Sequence, residues 1–297
     1  MPLRRLREWA ARTLSAAITR LSSWLGLALG LVLGLALAMP AAAQTPAFEW
    51  RGEGSFPLQY TETSTSRSTT RTTNMIPYLG LTGTATLPSG LIASVFADGG
   101  HGRLGSFLDT DNTFASVGTS IAKRWGAFTA GVSFEHTRYF EGTFGEETNI
   151  ANDVNLFASY RFTPNAGLRI RPSAVVTMRV DDMFAVQRYS AGARIDIEQR
   201  LTGPWWFLVS PRIRHLDYVG SDSRRHDTRL AVVTGLRYAI NDIMSTRMLA
   251  GWESRGSTDP SRNAHKFTIG ASLDFDVDFA AAPPSGAKLH EEPARLR

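Results

Sequence analysis

Residues 266–279 read KFTIGASLDFDVDF, and the side chains alternate in class along the whole stretch. Phe267, Ile269, Ala271, Leu273, Phe275, Val277 and Phe279 are apolar, whereas Lys266, Thr268, Gly270, Ser272, Asp274, Asp276 and Asp278 are not. Successive side chains of a strand point to opposite faces. The fourteen residues therefore predict one strand with a wholly apolar face and a wholly polar one. Such a strand needs an apolar medium on one side and water on the other over its full length.

The same period recurs along the chain. Residues 168–181 set Leu168, Ile170, Pro172, Ala174, Val176, Met178 and Val180 against Arg169, Arg171, Ser173, Val175, Thr177, Arg179 and Asp181. Residues 188–201 oppose Tyr189, Ala191, Ala193, Ile195 and Ile197 to Arg188, Ser190, Arg194, Asp196, Glu198 and Arg200. Dyad alternation over about ten residues is a strand signature. It predicts twelve strands, near 54–63, 73–87, 90–98, 112–124, 126–140, 152–162, 167–180, 185–200, 204–217, 227–240, 243–254 and 264–279, with ten or fourteen as the alternatives. The first has the weakest pattern, because Pro57 interrupts it and a Ser/Thr-rich run follows.

The connections alternate too. Those after even-numbered strands are tight, such as PSG at 88–90, RWG at 124–126 and LTGP at 201–204. Those after odd-numbered strands are longer and polar, such as GGHGRLGSFLDTD, EGTFGEETNIA and SRGSTDPSRN. Short and long connections alternating around an even number of antiparallel strands is the plan of an outer-membrane barrel, with short turns in the periplasm and long loops outside.

The chain resembles bacterial outer-membrane β-barrel proteins over residues 54–279. Thr268, Gly270, Leu273 and Phe275 match the polar-x-Gly-x-x-apolar-x-apolar signal that such barrels present on their last strand to the assembly machinery, and Phe279 resembles their terminal aromatic. The resemblance implies a porin-like, all-β fold: a single antiparallel up-and-down transmembrane barrel. It also implies a location in the outer membrane, with lipid, lipopolysaccharide and the barrel assembly machinery as partners. One departure is the tail AAAPPSGAKLHEEPARLR after Phe279, at 280–297, which reads as a disordered periplasmic extension.

A soluble β-sandwich also buries one face of each strand. Its strands average five or six residues, however, and these reach the ten or so needed to cross a bilayer at a tilt. Aromatics gather at strand ends, with Trp125 and Phe128, Tyr160 and Phe162, and Trp205 and Phe207 at three turns. Girdles of that kind mark membrane interfaces. Closure is required because an open edge in hydrocarbon strands its backbone groups without water. Twelve strands ~4.7 Å apart and tilted ~40° give a backbone radius of about 12 Å, which inward side chains reduce to a narrow or blocked bore.

The start of the chain fits export. Five arginines within residues 1–20 precede the apolar run LGLALGLVLGLALAMP and Ala41-Ala42-Ala43. This is the layout of a secretory signal cut after Ala43, with a short spanning anchor as the alternative. A short periplasmic segment, 44–53, would then lead into the barrel. Residues 1–43 carry most of the net charge of +5, so the high pI does not argue for a nucleic-acid partner. The chain has no cysteine, which excludes disulfides, thiolate chemistry and lipid attachment at a processed Cys.

By parity, the inward rows hold Arg161, Arg169, Arg171, Arg179, Arg188, Arg194, Arg200, Arg212, Arg214, Arg229 and Arg237, with Asp196, Glu198, Asp274 and Asp276 among fewer acids. A basic stripe facing an acidic last strand would set a transverse field across the lumen and orient anionic solutes. Alternatively, these charges pair and fill the barrel. The expected function is an outer-membrane channel or exporter for a hydrophilic, anionic solute. A plugged structural or surface-interaction barrel is the alternative, and a hydrolase ranks third.

Hydrolase chemistry needs a base beside a nucleophile or an activated water. The candidates are His136 with Glu135, His215 with Asp217, and His226-Asp227 with Asp181-Asp182; none forms a familiar catalytic set. Loop acids Glu146, Glu147 and Asp153 at most attract Ca²⁺, and no metal or cofactor is expected. The glycine-rich DGGHGRLG precedes no helix and reads as a loop.

Overall fold

The computed structural model describes residues 47–75, 77–102, 112–141, 146–182, 187–219 and 225–278. The expected signal segment, Phe279 and the tail lie outside the described residues. Fourteen strand segments follow in order: β1 (Ala47–Thr65), β2 (Thr69–Met75), β3 (Tyr78–Thr86), β4 (Leu91–Gly102), β5 (Asn112–Trp125), β6 (Phe128–Glu141), β7 (Glu147–Tyr160), β8 (Phe162–Asn165), β9 (Leu168–Asp181), β10 (Arg188–Arg200), β11 (Trp205–Tyr218), β12 (His226–Ala239), β13 (Met244–Ser257) and β14 (Ala264–Asp278).

Two staves are interrupted. β2 and β3 continue one register along β1 on either side of Pro77, a residue with no N–H to give to a ladder. β7 and β8 both pair with β9, separated at Arg161. The fourteen segments thus form twelve staves, each antiparallel to its neighbours. The cylinder closes where β1 pairs with β14, from Arg51↔Asp278 to Thr65↔Ala264.

Strand ends differ from the sequence expectation most at β1, but β4 also runs on to Gly102, four residues past the expected 98, so that 98–102 of the glycine-rich stretch read as a loop are strand, and β7 begins at Glu147, five residues before the expected 152. β1 begins at Ala47, seven residues before the expected 54, because its rows alternate Phe48 and Trp50 outward with Glu49 and Arg51 inward. Pro57 is tolerated within it. At this end of the barrel the turns are tight: Gly90 (φ 79), Gly126 (φ 60) and Gly203 (φ 53) adopt left-handed backbone. That conformation is nearly free of cost only for glycine. The longer connections all lie at the opposite end.

The outer surface is apolar. Leu79 (63% exposed), Leu156 (61%) and Ile269 (51%) face away from the barrel axis, with Val176, Ile213 and Leu230 in the same belt. Aromatics flank it. Trp125 stacks on Phe128 with centroids 5.8 Å apart, and Trp205 meets Tyr238 edge-on at 4.9 Å, both near the short turns. Tyr60, Tyr189, Trp252 and Phe267 stand toward the long-loop end, all on the outer surface. An apolar band between two aromatic girdles is the surface a bilayer requires.

The charged interior as candidate functional site

Strand register fixes which side chains enter the barrel. On β9 to β13 the inward rows carry twelve arginines: Arg169, Arg171, Arg179, Arg188, Arg194, Arg200, Arg212, Arg214, Arg229, Arg237, Arg247 and Arg255. Five carboxylates share these rows: Asp181, Asp196, Glu198, Asp227 and Glu253. Arg161, at the break between β7 and β8, lines the same interior.

The carboxylates are taken up by neighbours. Asp196 accepts from Arg194 Nε at 2.5 Å, Arg171 Nη2 at 3.1 Å and Ser210 Oγ at 2.8 Å. Glu198 lies 3.7 Å from both Arg169 and Arg237, and Glu253 accepts from Arg212 at 2.9 Å. Arg179 donates through two nitrogens to Asp153 on β7. On the last strand, Asp274 is held by Arg247 and Asp276 by Arg51. The acidic row of β14 therefore does not present a bare wall across the lumen from the arginines, because its carboxylates bond sideways to β13 and β1.

Two aromatic side chains organise guanidinium groups. Trp206 is turned inward, with Arg169 at 4.6 Å, Arg237 at 5.3 Å and Arg200 at 6.0 Å from its ring centroid. Tyr218 receives Arg225 at 3.6 Å and Arg188 at 5.7 Å. A cation over an aromatic face is attracted by the ring quadrupole, so these rings hold arginines in place without cancelling their charge.

Cavities open into the interior between the described residues. One of about 320 Å³ at the short-turn end is lined by Arg51, Tyr78, Arg161, Arg169, Glu198 and Arg237, among others. Another of about 310 Å³, lined by Gln59, Arg212, Leu249, Glu253, Thr268 and Ser272, lies deeper along β1 and β12 to β14. Arg247 borders both. Toward the long-loop end the inward Leu216 and Tyr218 are each 1% exposed and Asp227 0%.

The assembly-signal positions divide between the faces. Thr268 and Gly270 point inward; Leu273 and Phe275 point outward, and Phe275 meets Phe56 edge-on at 6.0 Å. Gly270 passes so close to β1 that an added Cβ would lie 2.7 Å from the Leu58 carbonyl oxygen.

The histidine candidates stand on the outer face. His215 and His226 stack at 6.0 Å, His226 Nδ1 lies 3.1 Å from Asp217, and His215 Nδ1 lies 3.1 Å from the Thr228 hydroxyl. His136, also outward, contacts Asn152 Oδ1 at 2.9 Å. Asp181 accepts from Asn149, and Asp182 from the Ile150 N–H. Glu147 pairs with Arg138 at 3.4 Å while Asp153 points inward to Arg179, so these acids do not converge. Among the described residues no three His, Asp or Glu side chains form a group that could hold a metal ion.

Sequence reasoning missed Arg51, Arg247, Arg255 and Trp206. Arg51 precedes the expected strand start. Arg247 and Arg255 share a row with Leu249 and Gly251, which blurs its polarity. Trp206 was legible by parity, since Leu208, Ser210 and Arg212 continue its row.

A closed twelve-stave antiparallel cylinder with an apolar belt, aromatic girdles and a charged interior is the fold of a bacterial outer-membrane β-barrel. An outer membrane channel from Pseudomonas putida F1 superimposes with a TM-score of 0.55 at 13% identity, covering 81% of this chain and 99% of that one. The translocator domain of the autotransporter NalP from Neisseria meningitidis gives 0.41 at 11% identity, with coverage of 88% and 97%. The anion-selective porin from Comamonas acidovorans gives 0.40 at 10% identity, with coverage of 77% and 100%. No family model and no curated protein matches the sequence.

Proposed function

We propose that the protein is a channel of the bacterial outer membrane that passes hydrophilic, anionic solutes through an arginine-rich lumen. The observation that carries this reading is the imbalance of the inward rows on β9 to β13, twelve guanidinium groups against five carboxylates, to which the flanking strands add Asp153 for Arg179 and Asp274 for Arg247. A fixed cationic surface around a narrow aqueous path raises the local anion concentration and lowers that of cations. In this reading residues 1–43 are removed on export, the last strand is read by the barrel assembly machinery, and the belt contacts lipid and lipopolysaccharide. Reconstitution in a planar bilayer under a KCl gradient tests it: the reversal potential should report chloride preference.

A second reading is favoured by the burial of Leu216, Tyr218 and Asp227 toward the long-loop end and by the lateral ion pairs. In it the charges fill and stiffen a plugged barrel whose loops do the binding. Absence of any current in the same experiment supports that barrel over the channel.

A further inference from the structure

The inward rows of β12 and β13 change character halfway along. Arg229 and Arg237 bracket Ala231, Val233 and Gly235 on β12, while Arg247 and Glu253 bracket Leu249 and Gly251 on β13. Register sets Gly251 between Val233 and Thr268, and Leu249 between Gly235 and Gly270, so these residues form one continuous window across three staves. None of them is charged, and only Thr268 can hydrogen-bond through its side chain. The interior of an outer-membrane barrel is ordinarily polar. Nor do neighbouring side chains fill the space in front of the window, because the cavity of about 310 Å³ is lined by Ala231, Val233, Leu249, Gly251 and Gly270. A Cβ added to Gly251 would meet its nearest atom, Val233 Cγ2, at 3.6 Å, an ordinary contact, so this glycine leaves room rather than relieving a clash. The wall offers no ring for stacking: Trp252 carries its indole on the outer face, against His265. A concave aliphatic wall with a few polar groups at its edges is the usual form of a small-molecule site.

Charged groups border the cavity at both ends. Toward the short turns Arg247 is matched by Asp274. Toward the long loops Arg212 and Lys266 flank Glu253, with Arg212 Nη2 at 2.9 Å from its carboxylate and Lys266 as its register partner. Counted as formal charge, that end carries two cations to one carboxylate. We infer that the cavity binds a small aliphatic carboxylate, with its alkyl chain along Ala231, Val233 and Leu249 and its head beside Arg212 and Lys266. Contact with this wall removes apolar surface from water on both partners, and charge-assisted hydrogen bonds orient the head. An anion without an alkyl chain gains nothing from the window, and an alkylammonium meets the cationic end. The site deepens the channel reading by naming the kind of anion, and it rests on that reading only for how the solute reaches the cavity.

The test is direct binding to the detergent-solubilised full barrel, by equilibrium dialysis of radiolabelled hexanoate against the same micelles without protein. Hexanoate should bind saturably at a single site. Acetate, which lacks the chain, and hexylamine, which reverses the charge, should each compete at least about tenfold more weakly. Gly251→Leu, which grows a side chain into the cavity, should remove binding. Lys266→Gln should weaken hexanoate but leave competition by hexan-1-ol unchanged, and Thr129→Gln, on the inward row of β6, should bind like the wild type. If the wild-type barrel takes up no hexanoate beyond the micelles, the site does not exist. If acetate competes as well as hexanoate, the aliphatic window plays no part; if hexylamine does, the anionic class is wrong. These outcomes are read on wild-type protein and do not depend on the variants folding. Because no conduction is measured, hexanoate binding without bilayer current upholds the site and removes the channel, and an anion-selective current without binding does the reverse.

Discussion

Arg247 grips Asp274 with two hydrogen bonds of 2.6 Å, Nε to Oδ2 and Nη2 to Oδ1, across the β13–β14 seam. The pair has a counterpart one strand further round, where Arg51 holds Asp276 in the same bidentate manner. Together they tie the last strand to both neighbours at the site of closure, and they neutralise an acidic row that would otherwise repel anions.

Removing one partner should expose the other. If the barrel conducts as proposed, Asp274→Asn leaves Arg247 with one good acceptor fewer and should shift its selectivity toward chloride. Arg247→Gln leaves the Asp274 carboxylate to face the lumen and should reduce that preference, with a stability loss of about 1–3 kcal/mol for the stranded group. Reversal potentials and denaturant midpoints of the two variants check the opposite signs.

Arg212 and Arg214 face inward from one strand, the first paired with Glu253 and the second bonded to Ser190. Arg212→Glu combined with Arg214→Glu changes the lumen by four charges and should move the selectivity toward cations. An unchanged reversal potential in the double variant would remove these residues from the conduction path.

The outer belt predicts assembly defects. Ile269 is 51% exposed on the apolar face of β14. Ile269→Arg or Leu273→Arg should cost ~2–4 kcal/mol near the bilayer midplane and leave protein that fails to become heat-modifiable. Normal insertion of both variants would mean that the two faces have been assigned the wrong way round.

Gly118 lies inward opposite Phe96, whose ring occupies the space a Cβ would need. Gly118→Val forces Phe96 out of its place and should destabilise the barrel by about 1–3 kcal/mol, as overpacking does elsewhere. A chemical-denaturation curve checks it.

Much of this architecture is written in strand periodicity. The fourteen alternating residues around Ile269 declare a two-faced strand because lipid and water impose opposite demands on every second position. What periodicity cannot declare is which charge bonds to which. The sequence shows Asp274 and Asp276 as an acidic row; only the register of β14 against β13 and β1 brings Arg247 and Arg51 alongside them. The start of β1 was hidden for a related reason, since Gly52 and Gly54 sit on its apolar face and Pro57 on its polar one. The inward turn of Trp206 beside the outward Trp205 is also missed if aromatics at strand ends are counted as girdle without their parity.

The most direct test of the lipid-out, water-in assignment uses the absence of cysteine, which makes every introduced thiol unique. Thr268→Cys, Ser272→Cys and Ile269→Cys in isolated outer membranes are each treated with charged, membrane-impermeant thiol reagents of either sign. The account predicts that Thr268→Cys and Ser272→Cys react, faster with the anionic reagent than with the cationic one, while Ile269→Cys stays unmodified. Labelling of Ile269→Cys alone, with the other two inert, would contradict it.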